Sequence, residues 1–177
     1  TSTQFGGGYK VLPSLLVFGS YSESFTPANT LLSFNGVPAG PAKPVTSDGV
    51  EFGVKTDFFN GRLSSTISYF EINQQDRISR FSIPDPVTGT TLSSVIQGTN
   101  DKSTGYEIDL TLSPTDQWQI YTSFSEIDAR TVSAPAALSQ SVGAKMENSA
   151  EYLFNVWTRY SFTAKPLAGL WIGGGAN

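Results

Sequence analysis

The sequence predicts an all-β fold, an antiparallel transmembrane β-barrel segment of about seven to eight strands that forms part of a larger barrel. Three observations carry this prediction. The strand-like segments are long, their apolar residues alternate with polar ones, and the connections between them alternate between long and short. A membrane-spanning barrel places short turns on one side and long loops on the other. A soluble sandwich has no reason to segregate its loops in that way.

The strand-like segments lie at 14–25, 48–59, 62–74, 101–113, 117–129, 151–163 and 170–177. The long connections are 26–47, 75–100 and 130–150, and the short ones are Asn60-Gly61, Pro114-Thr115-Asp116 and Ala164 to Gly169. Val11 to Pro13 offers a further short turn before the first strand. Strands of about 10–13 residues suit an apolar band that takes roughly 9–11 tilted residues to cross. Soluble strands average about 5–6.

Segment 15–25 is apolar on both faces near its start, so its outer face stays undecided. The loop 26–47 is rich in Pro, Gly and Ser, with Phe34-Asn35-Gly36 as a local turn. In 50–58, Val50, Phe52, Val54 and Phe58 alternate with Glu51, Gly53, Lys55 and Asp57. Phe59-Asn60-Gly61-Arg62 then reads as a type I′ hairpin turn, which needs positive φ at both central residues. Segment 62–72 divides its apolar residues, with Leu63, Ile67 and Tyr69 on one face and Phe70 and Ile72 on the other. The long connection after it carries Pro84-Asp85-Pro86 and Thr88-Gly89-Thr90-Thr91.

Period two is clearest at 106–112, where Tyr106, Ile108, Leu110 and Leu112 oppose Glu107, Asp109 and Thr111. Segment 117–127 favours Trp118, Ile120 and Phe124, with Tyr121 opposite. The Ala/Ser-rich 130–150 holds a short helical turn around Ala134–Leu138. Segment 152–162 sets Tyr152, Phe154, Val156, Tyr160 and Phe162 against Asn155, Trp157, Arg159 and Ser161. Aromatics gather near the short turns: Phe58 and Phe59, Trp118, and Phe162 with Trp171. Rings at that position suit a membrane–water interface. The polar faces read either as solvent-facing surface or as a wet lumen, and periodicity alone does not separate these.

Composition narrows the function classes. Of 177 residues, 38% are hydrophobic, and no run approaches the roughly 18 continuous apolar residues of a spanning helix. The net charge is −4 and the charges are scattered, which argues against a nucleic-acid partner. Without Cys there is neither a disulfide nor thiol chemistry, and without His a Ser-His-Asp arrangement is impossible. No catalytic residue, cofactor or metal ligand is predicted. Glu107 and Asp109 share a strand face and read as solvated polar surface. Gly6-Gly7-Gly8 and Gly173-Gly174-Gly175 lack the helix and Lys of a phosphate cradle and read as close packing or flexible strand. Arg77, Arg80 and Phe81, on the run into the second long connection, are the candidate ligand-binding residues. Two guanidiniums and a ring could hold an anionic chelate by charge-assisted hydrogen bonds. Their alternative is rim charge against lipid headgroups or lipopolysaccharide phosphates. Arg159 is expected to pair with a carboxylate on an adjacent strand.

Several stretches carry a family resemblance. Leu16-Val17-Phe18-Gly19-Ser20-Tyr21-Ser22-Glu23-Ser24-Phe25-Thr26-Pro27 resembles a stretch of TonB-dependent outer-membrane receptors, siderophore receptors especially. Val50 through Leu63 resembles the hairpin of that family with its Phe58-Phe59-Asn60-Gly61-Arg62-Leu63 ending. Thr104-Gly105-Tyr106-Glu107-Ile108-Asp109-Leu110, then Val156-Trp157-Thr158-Arg159-Tyr160 and the Gly-rich 171–177, follow in the family's order. The resemblance implies active uptake of a ferric siderophore across the outer membrane of a Gram-negative bacterium. In that scheme a plug seals the lumen, TonB supplies energy through the plug, and iron arrives wrapped in its carrier. Residues 1–177 would be barrel alone, with the plug absent, a fragment of its later half that begins at a truncated Thr1. A passive porin-like channel and a soluble all-β binding or adhesion domain are the competing readings.

Overall fold

The computed structural model describes residues 2–85 and 88–177. Its strands are β1 Gln4–Leu12, β2 Leu15–Thr26, β3 Leu31–Phe34, β4 Val37–Pro41, β5 Val45–Phe58, β6 Leu63–Pro84, β7 Thr91–Thr115, β8 Trp118–Ser133, β9 Tyr152–Ser161 and β10 Trp171–Ala176. A short 3₁₀ helix, Ala136–Ser141, lies between β8 and β9. All ten strands belong to one antiparallel sheet, whose main path runs β1-β2-β5-β6-β7-β8-β9-β10. The hairpin β3–β4 joins it sideways, where Ser33 pairs with Val95 of β7.

Among the described residues no second layer covers this sheet. Ala129 is the one buried apolar residue among those described, whereas Phe52, Phe154 and Ile172 are 57%, 53% and 58% exposed. A soluble sandwich would bury that face against another sheet. Here the apolar face is open, as a lipid-facing wall requires.

The register decides the faces that periodicity left open. Val54 of β5 pairs with Val17 and Ile67, and Ile67 in turn pairs with Ile108, which pairs with Phe124 and through it Phe154. These residues share the apolar outer face. Leu15, Val17 and Tyr21 are therefore outward, as are Leu63, Ile67 and Tyr69, and Trp118, Ile120 and Phe124. Leu16, Phe18, Phe70, Ile72 and Tyr121 lie on the inward face with Glu51, Lys55, Glu107 and Asp109.

Several boundaries differ from the sequence reading. A complete strand, β1, precedes the first expected one, and Pro13-Ser14 forms the turn between them. Its Gly6 and Gly8 pack close to β2, where a Cβ would come within 3.1 Å and 3.3 Å of neighbouring atoms, whereas Gly7 is open. The loop 26–47 contains β3–β4, turned at Asn35 and Gly36 with φ of 49° and 78°. The turn after β7 is Asp116-Gln117, because Thr115 still pairs with Trp118. The helical turn expected near Ala134–Leu138 sits at Ala136–Ser141.

The largest correction concerns 75–100, which is mostly strand. β6 and β7 stay paired from Leu63↔Leu112 to Pro84↔Thr91. A membrane crossing needs only part of that length, so the remainder is a two-stranded ribbon standing above the apolar band. Irregular pairing on either side of Arg77, with φ of 60° at Asp76 and 115° at Gly98, bends the ribbon where it leaves the wall. Pro86 of the Pro84-Asp85-Pro86 stretch lies outside the described residues, and Thr1 does as well.

At Asn60-Gly61 both central residues have positive φ, and the Arg62 N–H donates to the Phe59 carbonyl at 3.4 Å. Phe59 is also left-handed and leaves the ladder, and its ring is 74% exposed.

Candidate functional site

The outward face is graded by depth. Phe58, Leu63, Leu112, Trp118 and Tyr160 lie nearest the short turns. At the other border stand Tyr69, Tyr106 and Tyr152. Between Tyr152 and Tyr160 the strand rises about 26 Å, which at a tilt of about 40° gives about 20 Å of depth, near the height of an outer-membrane apolar band. The upper border holds two groups of touching rings, with Glu126 of β8 on the rung between Tyr106 and Tyr152. Phe52 and Tyr69 lie 5.2 Å apart, Tyr69 and Tyr106 5.1 Å, and Phe124 and Tyr152 6.4 Å. Above it the face turns ionic, with Glu71–Lys102 at 2.7 Å and Asp128–Arg130 at 2.8 Å. Apolar body, aromatic border and charged rim are the sequence of layers a lipid leaflet demands.

The inward face is polar and lightly cross-linked. Lys55 stands over the Phe18 ring at 5.2 Å. Arg159 was expected to meet a carboxylate, yet it stacks 4.9 Å above the ring of Trp171. Trp171 pairs with Ser161 and so faces inward, which removes it from the lipid border where the sequence reading put it. The reason is register: Arg159 lies two positions before Ser161 on the same face, which brings the guanidinium diagonally onto the neighbouring ring.

Arg77, Arg80 and Phe81 all fall on the β6 ribbon, but they do not form one cluster. Phe81 pairs with Ser94 and shares the inward face with Arg77 and Ser79, whereas Arg80 pairs with Val95 and points outward. Arg77 is held by the β7 carboxylate of Asp101. Its Nε donates to Oδ2 and its Nη2 to Oδ1 at 3.1 Å. Nη2 also reaches Thr131 Oγ1 at 3.5 Å, and Nη1 reaches Ser79 Oγ at 3.3 Å. Thr131 donates to Asp101 Oδ1 at 2.8 Å, and Ser79 and Thr99 exchange a hydroxyl bond at 3.1 Å. Asp101, Thr99 and Thr131 are buried. The cluster locks β6, β7 and β8 together at the base of the ribbon, and among the described residues it uses all the Arg77 guanidinium protons except one on Nη1.

Gln97 was not singled out by the sequence, since one amide among many polar residues carries no pattern. Its Nε2 donates to the carbonyls of Lys43 and Asp76 at 2.7 Å and 2.9 Å, and its Oε1 accepts the Lys43 N–H at 2.8 Å. The Asp76 N–H donates to Asn100 Oδ1 at 3.0 Å, so the bend in β6 is stapled at both its amide and its carbonyl. Among the described residues no group of three or more acidic, His or Cys side chains is placed to hold a metal ion.

Comparison with known proteins agrees with this architecture. The family described as TonB dependent receptor-like, beta-barrel, matches residues 1–177. The ferric-pyoverdine M114 receptor PbuA of Pseudomonas sp. (strain M114) is 26% identical over 166 residues, covering 93% of this chain and 19% of that protein. The pyoverdine outer membrane receptor FpvA of Pseudomonas aeruginosa PAO1, solved with pyoverdine bound, superposes with a TM-score of 0.70 at 22% identity. That match covers 96% of this chain and 23% of FpvA. The alcaligin outer-membrane receptor FauA of Bordetella pertussis gives 0.66 at 22% identity, over 98% of this chain and 28% of FauA. The chain spans about a fifth of the length of the curated relatives it matches. Its match to the family model, over the whole chain, makes it a member of the TonB-dependent receptor β-barrel family, built as barrel wall for the outer membrane of a Gram-negative bacterium.

Proposed function

We propose that this chain is part of the barrel of a receptor that imports a ferric siderophore with energy delivered through TonB. The observation that carries the reading is the family match over the whole chain, joined by relatives named as receptors for ferric pyoverdine and alcaligin. The wall shields a polar lumen from lipid, a plug domain fills that lumen, and the ribbon of β6 and β7 builds part of the external vestibule. TonB acts on the plug and makes no contact with this wall. Iron stays inside its chelate, so no wall residue needs to ligate it.

Within the vestibule, Phe81 and the second Nη1 proton of Arg77 are the ligand-facing pair, one offering an apolar ring and the other a donor to an anionic chelate. Arg80, on the outward side of the ribbon, serves the phosphates of lipopolysaccharide, as does the ionic rim above the tyrosines.

The test is uptake of radioactive iron by cells that express the full-length receptor as their one route for the chelate, with ferric pyoverdine and ferric alcaligin as probes. Uptake of either that stops when TonB is inactivated supports the proposal. Uptake that persists without TonB would make the protein a passive channel and overturn it. Phe81→Ala is expected to raise the half-saturating concentration at least fivefold, and Arg80→Ala to leave it unchanged.

A further inference from the structure

The segment between β2 and β5 does not stay beside its own strands. Its hairpin, β3–β4, skips β6 and docks on the edge of β7 that β6 leaves free. Every anchor of that dock is polar. The Gly36 N–H donates to the Ser93 carbonyl at 3.2 Å and the Asn35 N–H to Ser94 Oγ at 3.0 Å. At the hairpin's exit, Lys43 exchanges both its backbone groups with the Gln97 amide. Two of the hairpin's apolar side chains, Leu31 and Val37, stay out of the dock at 72% and 66% exposure, and Leu32 is half-buried. Water can replace polar contacts of this kind, so such a dock opens more readily than one with an apolar core.

What the dock covers is specific. Ser94 has no exposed surface and lies directly opposite Phe81 on the inward face of the ribbon. We propose that the β3–β4 hairpin is a strap latched by Gln97, and that its release uncovers Ser94 and the inward face around Phe81. The latch is concentrated in one side chain. Both Gln97 amide protons and its oxygen are spent on Lys43 and Asp76, so its loss frees the strap and loosens the bend in β6 together. Asn35, Gly36 and the Ser33–Val95 pairing then hold the tip.

The strap can be tested without any ligand, and so stands or falls apart from the transport reading. The chain has no cysteine. In the full-length receptor, cleared of any other thiol, Ser94→Cys reports strap opening by its rate of maleimide labelling. Ser82→Cys, on the exposed outward side, is the reference. The expected result is labelling of Ser94→Cys at least 100-fold slower than Ser82→Cys, rising at least tenfold when Gln97→Ala is added, with the reference unmoved. Equal rates at the two positions, or no response to Gln97→Ala, would overturn the proposal. Amide hydrogen exchange over residues 31–41 guards against a disturbance by the new thiol. With Ser94 intact, Gln97→Ala should speed exchange there at least tenfold and leave the β5–β6 ladder unchanged, and an unchanged rate over 31–41 would sink the latch.

Discussion

The ring of Phe70 occupies the space that a side chain at Gly105 would fill. The two residues face each other across the β6–β7 ladder, and a Cβ built on Gly105 would lie 2.7 Å and 2.9 Å from ring carbons of Phe70 while also striking the Glu126 carbonyl. Phe18 stands in the same relation to Gly53, and Trp157 to Gly175. In each pair an inward ring covers a glycine on the adjacent strand, which restores packing that the glycine lacks and fixes register. Gly105→Ala should therefore destabilise the barrel by about 1–3 kcal/mol, the usual cost of overpacking. Because one obstacle is a backbone carbonyl, truncating Phe70 should relieve only part of that cost. Thermal unfolding of the purified receptor, followed by its heat-dependent gel mobility, measures both.

The Arg77–Asp101 pair is expected to be asymmetric. Asp101 is 2% exposed and Arg77 34% at the side chain. Arg77→Ala leaves a buried carboxylate with one threonine hydroxyl, whereas Asp101→Ala leaves a guanidinium that water can reach. Arg77→Ala should cost about 2–4 kcal/mol and Asp101→Ala about 1–2 kcal/mol, with the double variant close to the milder single one. Denaturant midpoints of the four proteins test the order. A larger loss for Asp101→Ala would show that the carboxylate is hydrated in the absence of arginine.

Much of this was legible in the sequence, and the remainder fails for identifiable reasons. Alternation at Val50–Phe58 and Tyr106–Leu112 revealed the wall because one face must meet lipid. The Asn60-Gly61 and Asn35-Gly36 turns were readable because few residues tolerate positive φ. The β6–β7 ribbon was not, because above the membrane both of its faces are wet and no lipid imposes alternation, so Arg77 to Pro84 looks like loop. The division of Arg77 and Phe81 from Arg80 depends on alternation within that same hidden strand. Strand β1 escaped because its glycines give no hydrophobic pattern. Gln97 matters through partners 54 and 21 residues away, a separation that no local pattern encodes.

The clasp between the two central short turns should contribute little. Arg62 donates to Asp116 Oδ1 at 2.8 Å and to the Pro114 carbonyl at 3.2 Å, yet the side chains of Arg62 and Asp116 are 50% and 84% exposed. Exposed pairs of this type are worth about 0–1 kcal/mol and weaken with salt. Arg62→Ala should leave the unfolding midpoint nearly unchanged at physiological salt. The backbone bond from the Ser113 N–H to the Arg62 carbonyl, at 2.7 Å, survives the substitution and keeps the turns together. A large drop would mean that the arginine also meets a group beyond this chain, at the lumen's inner rim.

The assignment of faces makes the sharpest demand. Ile108 sits in the outward apolar band, flanked by Ile67 and Phe124 and one outward position below Tyr106, while Ser123 lies one rung away on the inward face beside Asp109 and Asn155. A lysine at Ile108 would place its stem among acyl chains and has to bend its charge up to the tyrosine border, about 5 Å higher. Such a charge costs about 2–4 kcal/mol at a bilayer midplane and about 0–1 kcal/mol at the border, so about 1–2 kcal/mol is expected at this depth. A lysine at Ser123 meets water and a neighbouring carboxylate, and should cost less than about 0.5 kcal/mol, the usual scale of a surface change. Refolding equilibria of the two variants of the full-length receptor in lipid vesicles separate these expectations. If Ser123→Lys were the damaging change and Ile108→Lys the tolerated one, the sheet would be inside out, and Glu107, Asp109 and Lys55 would face lipid, a placement that physical chemistry forbids for so many uncompensated charges.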